Sequence, residues 1–283
     1  VATAWYGTSP DADSTYDCFI RNKPMKKTLA ALATLLAANS FTAQAAEHLV
    51  VGATPVPHAE ILAFVKPTLA KEGVDLDIKV FNDFIQPNLQ LAQKNLDANY
   101  YQYRPFLDDF NKTRHTDLVP VVGVHIEPFG AYSAKYKTLA ELPDGASVAI
   151  PNDPVNTGRA LVLLAENGLI TLKEPGNPQS TQRDITANPH HLKIRELEGA
   201  MLARSVKQVD LAFVFANYAL EAGIDTSSAL IVEKGKDLYV EYLVARPDNL
   251  QDPGIQKLAK ALNSPEVRNF ILTRYKGQIA PGF

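Results

Sequence analysis

The chain has 283 residues, 28 basic against 31 acidic side chains, a net charge of −3 and a single cysteine. A slight acidic excess without a basic run argues against nucleic acid or an anionic membrane surface as partner. One cysteine excludes an internal disulfide framework and any cysteine-based metal spacing.

Residues 25–45 read as a secretory signal. Met25, Lys26 and Lys27 make a basic start, 28–38 is apolar, and Ala43-Gln44-Ala45 is a small-x-small cleavage signal. The apolar run is too short to span a bilayer as a helix. Residues 1–24, which hold the lone Cys18, are expected to be an upstream extension outside the native protein. No cysteine follows the apolar run, so the expected product is periplasmic, cleaved near Ala45 and without a lipid anchor. What remains, 46–283, fits two lobes of roughly 100–150 residues each.

Strands and helices then alternate. A buried strand is predicted at 49–54, followed by a helix over 58–70 with Ile61, Leu62, Val65 and Leu69 at helical spacing, stopped at Gly73. An alternating strand at 75–81, helices at 86–94 and near 105–113, and a strand at 118–126 complete the first set. After Glu127-Pro128-Phe129-Gly130 come strands at 147–150, 192–197 and 209–215, and helices at 157–167, 201–206 and 216–222. The polar, proline-punctuated stretch 177–188 is a surface connection. A strand at 239–245 and helices at 253–262 and 265–275 close the chain. This order predicts an α/β protein of two lobes, each a mainly parallel sheet flanked by helices. The lobes are expected at 46–128 with 241–283, and at 129–240. Crossings near 127–133 and 232–240 leave a ligand cleft between them.

The most informative segment is PNDPVNTGR at 151–159, between a strand and an apolar helix. Asp153 or Asn156 can cap that helix, Pro154 suits its first turn, and Gly158 allows close approach of a ligand to the backbone. The helix start together with Arg159 makes a receptor for carboxylate or phosphate. The plainer reading is a helix entry with a surface arginine.

Aromatic residues cluster at Tyr100, Tyr101, Tyr103 and Phe106, with Phe81 and Phe84 nearby in sequence. Phe81 and Tyr100 read as core. Phe84, Tyr101, Tyr103 and Phe106 either line an apolar slot or join the core. Arg159 opposite such a slot suits an α-amino acid, and Glu241, in the apolar strand YVEYL, is the candidate ammonium partner if it does not face solvent. A charge-assisted contact contributes about 1.5–3 kcal/mol and a buried apolar side chain roughly as much again. Micromolar affinity, about −8 kcal/mol, is then within reach.

Enzyme signatures are thin: no nucleophile elbow, P-loop or zinc-protease motif occurs. A metal receptor could recruit His58 and His125 from separate strand ends, but satisfied or solvent-facing histidines are the commoner case. The expectation is a binding protein with no catalytic residue, no cofactor and no metal. The rival is a periplasmic enzyme on the same scaffold with Glu241 as acid or base.

Five segments in order carry a resemblance: VGATPVPHAEIL at 51–62, FNDF at 81–84 with Pro87 and Asn88, DANYYQYRPFL at 97–107, PNDPVNTGR at 151–159, and NYALEAG at 217–223. Over almost all of 47–283 the chain resembles the MetQ/NlpA family of periplasmic substrate-binding proteins, which deliver methionine to an ABC importer. The resemblance implies the two-lobe periplasmic-binding-protein fold, an amino-acid ligand (L-methionine first), a membrane permease and ATPase as partners, and a monomer. It implies that Arg159 binds the ligand carboxylate and that Phe84, Tyr101 and Phe106 surround the thioether. The chain departs from the family at three positions. Tyr103 stands where the family has histidine, and Phe215 and Glu241 stand where it has the asparagines that hold the amino-acid backbone. Asn217 is placed to stand in for the first of these and Glu241 to take the ammonium. The same departures leave room for another amino acid, a dipeptide or a different amine-bearing acid.

Overall fold

The computed structural model describes Gly7, 46–233 and 239–283; the expected signal sequence and upstream extension lie outside these residues. Strand β1 (Glu47–Ala53) leads through a turn at Pro55–Ala59 into α1 (Glu60–Lys71), then β2 (Val74–Val80) and α2 (Gln86–Ala92). β3 (Ala98–Tyr103), α3 (Arg104–Arg114) and β4 (Val119–Ile126) follow. Helix α1 buries Ile61, Leu62, Val65 and Leu69 on one face, the stripe its spacing predicts. Gly73 at φ +78° supplies the left-handed turn into β2.

The chain then enters a second sheet with β5 (Phe129–Tyr132), β6 (Ser147–Pro151), α4 (Pro154–Glu166), a small ribbon of β7 (Thr171–Leu172) and β8 (Ile185–Ala187), and β9 (Lys193–Leu197). α5 (Gly199–Ser205), β10 (Leu211–Phe215), α6 (Ala216–Glu221) and β11 (Ile231–Val232) complete it. It returns through β12 (Val240–Ala245), α7 (Pro253–Leu262), α8 (Pro265–Tyr275) and β13 (Ala280–Pro281).

The strand order is β13-β4-β12-β3-β1-β2 in one sheet and β11-β5-β10-β6-β9 in the other. In the first, β1 pairs parallel with β2 and β3, while β12 runs antiparallel to β3 and β4. In the second, β6 pairs parallel with β9 and β10, and β5 opposes β10. The α/β, two-sheet architecture is therefore as expected, but the sheets are mixed and not mainly parallel: each keeps a parallel half and adds antiparallel pairs through β5, β11, β12 and β13. The reversed strands β5 and β12 directly follow the two crossings between sheets, so each enters its sheet from the opposite end. Each sheet has its own apolar core, one around Phe213, Ile150 and Leu161 and one around Leu62, Leu76 and Ile255. A separate aromatic cluster of Tyr101, Tyr103, Phe106 and Tyr239, with Phe84 and Val155 against it, lies between them. Hydrogen bonds cross there as well: the Tyr103 hydroxyl donates to Asn156 Oδ1, and the Tyr218 hydroxyl to the Asn82 carbonyl at 3.1 Å.

Candidate functional site

The cavity at this junction is small, about 20 Å³, room for roughly one water and well below an open ligand site. Seven expected site residues line it: Phe84, Tyr101, Tyr103, Phe106, Phe215, Asn217 and Glu241, joined by Gln102, Glu127 and Asn156. β3 contributes the tyrosines and β12 faces them, with Glu241 in register opposite Tyr103. Phe215 ends β10, with ring centroids 5.0 Å from Phe129 and 5.2 Å from Phe84. It narrows the cavity from the second sheet. Tyr100 is core, as expected.

Arg159 lies one layer behind the cavity wall. Its guanidinium is only 4% exposed and holds Glu233 through Nε (2.9 and 3.0 Å) and Nη2 (2.5 Å). The ring of Tyr239 covers it at 3.7 Å. Burial works against its charge, but Tyr103 and Glu233 hold its pKa above the ordinary arginine value. Glu233 occupies the side-on face of the guanidinium. On the end-on face, Nη1 donates to Asn156 Oδ1 at 3.4 Å, and Asn156 in turn lines the cavity.

Two expectations about this helix change. Asp153 is the cap, accepting from the Asn156 backbone N–H at 2.9 Å, so the protein's own carboxylate takes the helix start that was expected to receive an anion. Gly158 makes room for the Pro178 carbonyl, into which a Cβ would drive, and not for a ligand. The polar connection 177–188 is therefore anchored under α4.

Glu241 is buried, with no side-chain hydrogen bond among the described residues. Burial, and then the neighbouring Glu127, push its carboxyl well above the usual range, while Arg159 draws it down in part. Behind it, His58 and His125 meet with ring centroids 4.9 Å apart. His125 bonds Tyr100 through Nδ1 (2.5 Å) and Glu127 Oε1 through Nε2 (3.0 Å), and Glu127 Oε2 accepts from the Asn217 backbone N–H at 3.1 Å. His58, His125 and Glu127 bring donor atoms within 4.8 Å of one another, a spacing open to a metal ion. Sequence reasoning passed over Glu127 and Glu233. Both follow directly on a strand that ends at a crossing, and that position is the signal that could have found them.

A two-sheet α/β protein with an aromatic, charged cavity at the junction is a small-molecule binding protein. The profile of the NlpA lipoprotein family matches residues 49–283, and the chain belongs to that family. Its members are binding proteins and not enzymes. The D-methionine-binding lipoprotein MetQ of Yersinia pestis is 36% identical, over 91% of this chain and 98% of its own length. A nutrient binding protein from Burkholderia cenocepacia, solved bound to methionine, is 39% identical with a TM-score of 0.79, covering 83% of this chain and 100% of that one. Lipoprotein Tp32 of Treponema pallidum is 34% identical with a TM-score of 0.80, over 83% and 99%. The lipoprotein names of these relatives stand against the expectation of an unanchored chain, which concerned residues outside those described.

Proposed function

We propose that this chain is the periplasmic receptor of an ABC importer, a monomer that closes on a small amino acid, L-methionine first, and hands it to a membrane permease. In this reading 46–128 with 241–283 form one lobe and 129–240 the other, and closure is a hinge motion at the crossings. The end-on face of Arg159 holds the carboxylate, Glu241 and Asn217 hold the ammonium, and Phe84, Tyr101, Tyr103, Phe106 and Phe215 enclose the side chain.

The observation that supports the reading is an aromatic cavity lined by Glu241, a buried carboxylate with no side-chain hydrogen bond among the described residues, with the Arg159 guanidinium one layer behind its wall. The methionine in the Burkholderia relative supports the choice of ligand. Mass spectrometry of small molecules released on denaturing the purified protein should recover methionine. Titration calorimetry of Arg159→Ala should show affinity at least about tenfold lower, one lost charged contact. Unchanged affinity would remove Arg159 from the site. A different amine-bearing acid is the second reading, favoured by the narrowing Phe215 and the extra charge of Glu241; its recovery in the same experiment would decide for it.

A further inference from the structure

Three buried side chains that take no part in holding the proposed amino acid converge where the chain first crosses between sheets. His58, 1% exposed, lies in the turn after β1, His125 at the end of β4, and Glu127 just beyond it. Each brings one donor atom within 4.8 Å of the others. Both rings turn Nε2 toward the same carboxylate oxygen: Glu127 Oε1 lies 3.0 Å from His125 Nε2 and 3.6 Å from His58 Nε2. The first contact is a hydrogen bond and the second is too long for one. His58 Nε2 therefore has no hydrogen-bond partner among the described residues, a costly state for a buried nitrogen.

The far side of each ring is already held. His58 Nδ1 meets Thr54 Oγ1 at 2.7 Å, and His125 Nδ1 meets the Tyr100 hydroxyl at 2.5 Å. An oxygen on Nδ1 can fix the tautomer that presents the Nε2 lone pair, the outer support that metal-binding histidines use. The spacing suits zinc. Four donors at about 2.0–2.1 Å from the ion stand about 3.3–3.4 Å apart, a value that the 3.0 and 3.6 Å separations bracket. Glu241 Oε2, 3.9 Å from His58 Nε2, adds a second carboxylate beside the three. A dication set against Glu127 and Glu241 leaves no net buried charge. Glu127 also lines a second pocket, with Ile126, Pro128, Glu233 and Tyr239, through which an ion can reach it without crossing the aromatic cavity.

We infer that His58 Nε2, His125 Nε2 and the Glu127 carboxylate bind a divalent cation of the zinc type, with water in the fourth position. Two imidazoles and one carboxylate suit zinc, whereas calcium and magnesium take oxygen sets. With Nδ1–H of His125 given to the Tyr100 oxygen, the His125–Glu127 bond holds one further proton between Nε2 and Oε1. Metal binding forms a bond to each of these atoms, and that proton leaves to solvent. The ion ties the first crossing to the turn after β1. The site stands apart from the amino-acid proposal, which uses none of the three side chains.

The test is titration of the full chain, stripped with a chelator, with zinc chloride, read by calorimetry and by melting temperature. One equivalent is expected, with a melting temperature that rises with zinc concentration. His58→Gln and Glu127→Gln should each weaken zinc binding at least tenfold. Thr54→Val removes only the oxygen on His58 Nδ1 and should weaken it about 10–100-fold. His191→Gln, at the exposed pair with Asp144, should leave it unchanged. Zinc binding that survives His58→Gln and is lost in His191→Gln would put the ion on the surface and overturn the site, as would the absence of stoichiometric binding to the wild type. If the buried variants do not fold, cobalt(II) bound to the wild-type protein decides. The strong visible absorption of a four-coordinate ion is expected, and the weak absorption of a six-coordinate one overturns the proposal.

Discussion

Changing Glu233 to Gln isolates the pair that holds Arg159 in place. Gln keeps the shape of the side chain but removes its charge, leaving a buried guanidinium without its carboxylate. Breaking a buried pair from one side costs about 3–5 kcal/mol. The face of Tyr239 at 3.7 Å and the rings of Phe129 and Tyr103 at 4.7 and 5.1 Å still shelter the cation. Such contacts contribute roughly 0.5–2 kcal/mol and are present in both proteins, so they limit local rearrangement without changing the estimate. For a protein of this size each kcal/mol moves the melting temperature by about 2–4 °C, so the ligand-free variant should melt about 6–20 °C lower. Near-ultraviolet circular dichroism on heating reads this directly. Saturating amino acid should recover a larger share of stability in the variant than in the wild type, because the ligand carboxylate re-pairs Arg159. A fall below about 2 °C would refute the assignment of Glu233 as the counter-ion that positions Arg159.

Glu241→Gln should trade binding for stability. The Glu241 carboxyl is raised by burial and by Glu127. Its protonated form therefore supports the fold fully below the unfolded value of about 4.3, and that support is lost as pH rises through the folded value. The ligand-free variant should gain on the wild type progressively from about pH 4.5 upward, and parallel stability profiles would contradict this. Amine affinity of the wild type should rise with pH as Glu241 ionises, and the variant, at pH 8, should bind at least about tenfold more weakly. Gly158→Ala forces a methyl into the Pro178 carbonyl and should cost about 1–3 kcal/mol, read as a lower urea midpoint. Phe215→Ala empties the ring position between Phe129 and Phe84 and should cost about 3–5 kcal/mol; an unchanged midpoint would mean the ring is not packed as described.

The alternation of strands and helices was legible because most elements are apolar on one face, as in α1. β3 is the instructive exception. Its sequence ANYYQY, at 98–103, carries no pattern that predicts a strand, yet every residue of it is buried. Its inward amides satisfy one another: Asn88 donates to Gln102 at 2.8 Å, and Asn99 to Asn88 at 2.8 Å. Hydrophobic periodicity cannot see a strand whose buried faces carry a closed amide network. The short strands β5, β11 and β13 were missed for another reason: each exists by pairing with distant chain and has too few residues to carry a pattern. At the site, the aromatic walls could be read because they cluster within a few residues. Glu233 meets Arg159 across 74 positions, a contact that only the return crossing creates.

The bonds between the two sheets include two from phenol to neutral oxygen, Tyr103 to the Asn156 side chain and Tyr218 to the Asn82 carbonyl, and one from the Asn217 backbone N–H to the buried Glu127 carboxylate. None of the three sets a cation against an anion at the surface, so dissolved ions have little to screen. A junction held by exposed ion pairs would loosen in brine and tighten in fresh water. One held by these bonds keeps much the same grip in both, whatever the saltiness of the surroundings.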